Sequence, residues 1–159
     1  MKVFLSHSTS PYDASTPARL RAVAAAYGIQ ILLPERNGRT LVNAETRGKI
    51  AQSDAVVALV TNHASQVNNV NEELKVANSF NKAIISLAES QDLILNVPKN
   101  QIVIFDRQDP IAHEQQLMDI LTRLQQKKKA EENFKLALFT LAGIGLGLLA
   151  LSSLSTDEE

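Results

Sequence analysis

Residues 55–61 read AVVALVT: six of the seven are apolar, and no polar residue alternates among them. A strand of this kind must be covered on both faces, and that places it in the middle of a parallel sheet. Parallel neighbours are not joined by tight hairpins. Each connection needs a crossover of a dozen or more residues, usually a helix. The run therefore commits its flanking sequence to alternate strands with helices.

The first 125 residues supply that alternation. KVFL (2–5) is a short apolar run, followed by the polar loop SHSTSPYDAST. Residues 17–27 carry Leu20, Val23, Ala24 and Tyr27 at helical spacing, and Gly28 suits a helix C-terminal cap. Residues 29–33 predict a second strand. PERNGRT follows as a loop, with Pro34 and Gly38 as breakers. Asn43 can cap a helix to about Ser53, with Ile50 and Ala51 facing inward. After the central strand, NHASQVNN predicts a loop and residues 70–81 a helix. Residues 83–87 and 102–105 predict two more strands, and Pro110 opens a helix through Leu124. This order implies an α/β fold: a parallel five-stranded sheet with helices on both faces. Ligands of such sheets bind outside the carboxyl ends of the strands. The loops to inspect are therefore 6–16, 34–42 and 62–69.

The last quarter of the chain is different. Residues 136–154 (LALFTLAGIGLGLLALSSL) contain no charge, and half of the six glycines fall here. At about 1.5 Å per residue a helix of this length spans roughly 28 Å, close to the hydrocarbon thickness of a bilayer. Lys127, Lys128, Lys129 and Lys135 precede the segment; Asp157, Glu158 and Glu159 follow it. Positive residues stay on the cytoplasmic side. The expectation is a domain at 1–125, a basic and polar linker or helical extension at 126–135, a single-pass tail anchor at 136–154 and an acidic tail at 155–159, with the domain cytoplasmic and the C-terminus outside. Gly143 and Gly147 form a GxxxG pair that lets two such helices approach.

Composition removes several function classes. The chain has no cysteine and a formal net charge of −1. That excludes disulfide scaffolds, thiolate zinc sites and cysteine nucleophiles, and argues against a basic nucleic-acid binder. There is no GxGxxG, no P-loop and no GxSxG elbow. His7, His63 and His113 are scattered, so no metal site is expected.

Three polar groups remain at the presumed ligand edge. Ser6, His7 and Ser8 follow the first strand; they can bond ribose or phosphate, or simply cap a loop. Arg36 and Arg39 flank Gly38 in the second loop; they suit a pyrophosphate, a partner protein or solvent. Asn71, Glu72 and Glu73 stand in the first turn of the helix after the third strand, where acidic residues favour the helix dipole. A single carboxylate there can also stabilise the oxocarbenium character that builds when an N-glycosidic bond breaks. The residues by themselves leave both readings open.

Taken in order, these segments resemble bacterial Toll/interleukin-1 receptor (TIR) domains. FLSHS (4–8) is similar to the F-I-S-H-S opening. YGIQILLP (27–34) is similar to the glycine and strand after the first helix. Residues 35–40 stand where the mobile BB loop lies. KIAQSDAVVALVT (49–61), VNEELKVA (70–77) and AIISLAE (83–89) continue the likeness over residues 1–125. The resemblance implies a flavodoxin-like sheet and cleavage of NAD⁺ to nicotinamide and ADP-ribose or a cyclic isomer, often in antiphage defence signalling. It implies Glu73 as the catalytic glutamate, with Glu72 the adjacent alternative. Phe4, Ser6, Ser8, Arg36, Gly38 and Arg39 would line the substrate. Asn69 stands where the family has a tryptophan, and Ser65 lies two residues farther from the glutamate than the family's serine. No metal or added cofactor is implied, since NAD⁺ is the substrate. Partners would be other TIR domains and the membrane, with no nucleic acid. Two other readings are a non-catalytic TIR interaction module at the membrane and a nucleoside deoxyribosyltransferase-like enzyme.

Overall fold

The computed structural model describes residues 1–9, 15–36, 42–62, 66–94, 97, 102–104 and 109–130. Its elements are β1 (Lys2–Ser8), α1 (Thr16–Ala26), β2 (Gln30–Leu32), α2 (Ala44–Gln52), β3 (Ala55–Val60), α3 (Val67–Ser79), β4 (Ala83–Ala88), β5 (Ile102–Ile104) and α4 (Pro110–Ala130). The five strands form one sheet in the order β2-β1-β3-β4-β5, and every adjacent pair is parallel. This 2-1-3-4-5 order is the flavodoxin-like arrangement. The chain divides into two units, Met1–Glu114 with the sheet and Gln115–Glu159, whose described part is the remainder of α4.

The AVVALV run of β3 is buried at all six positions, as its two-faced apolar pattern demands. Side chains alternate across a strand. Phe4, Val56, Ala58, Val60, Ala88 and Ile102 therefore share one face, and they form a core cluster with Ile50 of α2 and Val70, Leu74 and Ala77 of α3. Val3, Leu5, Val57, Leu59, Ile85 and Leu87 point the other way and are buried too.

Helix ends follow local chemistry. Gly28 takes a positive φ of 70° just beyond the C-cap of α1, a conformation that costs glycine little. The Asn43 side chain accepts from the Thr46 backbone N–H at 2.8 Å and so caps α2.

Three boundaries differ from the sequence expectation by three residues or more. Residues 6–8, assigned to a loop, extend β1, because each pairs with the buried β3: Ser6 with Ala58, His7 with Leu59 and Ser8 with Val60. Helix α3 begins at Val67 rather than Val70, since Val67, Val70, Leu74 and Ala77 form a continuous apolar stripe despite the intervening asparagines. Glu73 therefore sits in its second turn and not its first. Helix α4 runs past Leu124 to Ala130, so QQKKKA takes the helical-extension alternative. Among the described residues no helix is long and apolar enough to cross a membrane; the segment 136–154 lies outside them.

Candidate functional site

The strand order reverses between β1 and β3, which opens a crevice at their carboxyl ends. β1 becomes more polar toward that end. Phe4, Ser6 and Ser8 share the α3-facing side. Phe4 lies deepest and is wholly enclosed in the core. Ser6 and Ser8 come next, and both are buried.

Glu73 reaches this row from α3 and has no solvent exposure. Its carboxylate accepts three bonds. The Ser6 hydroxyl donates to Oε2 at 2.5 Å. Arg36 donates from Nε to Oε1 and from Nη2 to Oε2, both at 3.1 Å. This is a two-pronged guanidinium–carboxylate pair, a geometry that lysine cannot reproduce. A buried carboxylate without such partners would be prohibitively costly.

The guanidinium has two further acceptors. Its Nη1 donates to the His7 carbonyl at 2.6 Å and to Gln66 Oε1 at 2.9 Å. Gln66 in turn donates its backbone N–H to the Ser8 hydroxyl at 3.0 Å. Gln66 and Glu73 are seven residues apart, two turns of α3, so both fall on the same side of the helix. One arginine thus bridges the end of β1, the start of α3 and the middle of α3.

The His7 imidazole is lowered from 6.5 to about 4, first by burial and then by the positive charge of Arg36. It is neutral at pH 7.

The residue before Arg36 is held through both its backbone and its side chain. The Thr46 hydroxyl accepts from the Glu35 backbone N–H at 2.9 Å and donates to the Glu35 carbonyl at 3.0 Å. Asn43 Nδ2 donates to the same carbonyl at 2.8 Å. Lys49 Nζ meets Glu35 Oε1 at 2.8 Å. The Lys49 ammonium is raised above its ordinary pKa, chiefly by that bond to Glu35.

Of the residues singled out in the sequence, Ser6, Ser8, Arg36 and Glu73 come together. Glu72 does not: it points outward and pairs with Lys75 at 2.5 Å. Asn69 is half-buried in the first turn of α3, one turn ahead of Glu73. Gly38, Arg39, His63 and Ser65 lie outside the described residues. Gln66, Thr46 and Glu35 were not anticipated. A glutamine or threonine in a polar stretch carries no periodic signal, although Asn43 was legible as a cap. Among the described residues no cluster of three or more His, Asp or Glu side chains could hold a metal ion. A cleft of about 760 Å³ lies elsewhere, beside β2, and includes Arg21, Gly28, Gln30, Leu32, Glu35 and Lys49.

No protein-family model matches this sequence, and no curated protein matches it.

Proposed function

We propose that the chain is a membrane-tethered NAD⁺ hydrolase or cyclase of TIR type, with Glu73 as its catalytic carboxylate. The observation that carries the reading is a buried glutamate at the switch point of a 2-1-3-4-5 sheet, bonded to Ser6 and Arg36. Cleaving the nicotinamide–ribose bond builds positive charge at the anomeric carbon. A carboxylate held in a dry crevice stabilises that charge far better than one in water. On this reading Ser6 and Ser8 would receive ribose hydroxyls. Arg36 covers the carboxylate here, so catalysis on this reading requires the guanidinium to swing away and admit the ribose.

The test is nicotinamide release by the full chain in detergent at high protein concentration, with Glu73→Gln and Glu72→Gln beside it. The expected outcome is release by the native chain and by Glu72→Gln, with loss of about a hundredfold or more in Glu73→Gln. A folded but silent native chain overturns the enzymatic reading.

One observation favours a second reading, a non-catalytic interaction module. Glu73 is completely enclosed and satisfied by three donors. The cluster would then serve as a polar pin joining β1, α3 and the segment after β2. In that case Glu73→Gln would lower stability and leave nicotinamide release at background in every variant.

A further inference from the structure

We propose that Thr46 is a positioning residue for the Arg36–Glu73 pair, acting through the backbone of Glu35. A residue has two soft backbone dihedrals, one on each side of its α-carbon. The Glu35 N–H belongs to one flanking peptide plane and its carbonyl to the other. Thr46 bonds both, at 2.9 and 3.0 Å. Holding the two planes against one hydroxyl sets both dihedrals of Glu35, and hence the direction in which the chain enters Arg36.

This fixing is needed because residues 33–36 belong to no helix or strand. No ladder orients Arg36 from its own side. Asn43 adds a third bond, to the Glu35 carbonyl, and Lys49 holds the Glu35 side chain. The anchor itself is firm: Thr46 is buried, and the same Asn43 caps its helix. From the fixed base the arginine places four donor–acceptor bonds, two of them on Glu73. Only a hydroxyl donates and accepts at one point, so valine cannot replace threonine here although it matches its shape.

The geometric inference stands by itself, while its catalytic consequence rests on the proposed NAD⁺ reading. The test therefore reads Arg36 directly. Arginine side-chain N–H signals of the full chain in detergent are followed by NMR, with Arg36→Lys assigning the Arg36 Nε–H. In the native chain and in Thr46→Ser this proton is expected to exchange slowly. In Thr46→Val its exchange should rise by about tenfold, with the circular dichroism spectrum unchanged. Asn43→Asp keeps the helix cap but loses the donor to Glu35, and should give a smaller rise. Should Thr46→Val fail to fold, Asn43→Asp decides. Unchanged protection in the folded Thr46→Val protein, or in Asn43→Asp where that variant decides, overturns the proposal. Equal loss in Thr46→Ser also overturns it. Nicotinamide release, measured in parallel, should rise in Thr46→Val as Arg36 leaves the carboxylate more often. A native chain that releases none defeats the NAD⁺ reading and leaves the exchange result to judge Thr46.

Discussion

Glu73 is a buried carboxylate paired with the part-buried Arg36, and such pairs are most informative when one partner is removed. Arg36→Ala would strand a carboxylate in the interior. It should cost about 3–5 kcal/mol in urea unfolding. Arg36→Lys should recover only part of this, since an ammonium cannot place two parallel bonds. A loss below about 1 kcal/mol in the alanine variant would mean that the pair is not enclosed in solution. His7 makes a separate prediction. Its folded pKa of about 4 lies below the free value of 6.5. Between these values the unfolded chain binds a proton that the folded chain refuses. Stability is therefore full above about pH 6.5, falls as pH drops toward 4, and levels off below. The slope contributed by one such group is at most about 1.4 kcal/mol per pH unit. Urea midpoints at pH 7.5 and 5.0 should differ by less in His7→Gln than in the native chain.

Helix α2 shows how much of an element is written locally. Asn43 announces its start, and Ile50 its buried side. Gly48 is the exception, a residue of poor helix propensity in mid-helix. A methyl group there would meet nothing within 4 Å. Gly48→Ala should therefore stabilise the protein by about 0.5–1 kcal/mol and raise its Tm by a few degrees. A fall in Tm would show that the glycine serves something beyond the helix. Elements were less legible where tertiary contacts override the local pattern. Ser6, His7 and Ser8 look like loop residues, yet the ladder to β3 draws them into β1. Val67, Asn68 and Asn69 look like loop, yet the core stripe begins at Val67.

For the whole molecule, the uncharged segment 136–154 carries the membrane expectation. The full chain should partition with membranes and resist extraction by high salt and alkali. A chain ending after Ala130 should remain in the supernatant. Recovery of the full chain in the supernatant would exclude the anchor. If the anchor holds, it confines the sheet domain to a surface. Confinement raises the effective concentration of any weak self-association.

Fold class was legible because burial on both faces leaves a mark on every residue of a strand. AVVALVT alone called for parallel neighbours, crossover helices and a site at the carboxyl ends of the strands. The same reading put Ser6, His7, Ser8, Arg36, Arg39, Asn71, Glu72 and Glu73 among the candidates. Hydrophobic periodicity cannot say which polar atoms will meet, because a hydrogen bond depends on distances of a few tenths of an ångström between segments far apart in sequence. Ser6 and Glu73 are 67 residues apart, and Arg36 and Glu73 are 37 apart. The resemblance favoured Glu73 over Glu72, but only the folded chain shows their different surroundings, one turned inward to a guanidinium and the other outward to a lysine. Helix phase made that choice, since neighbouring residues on a helix point about 100° apart.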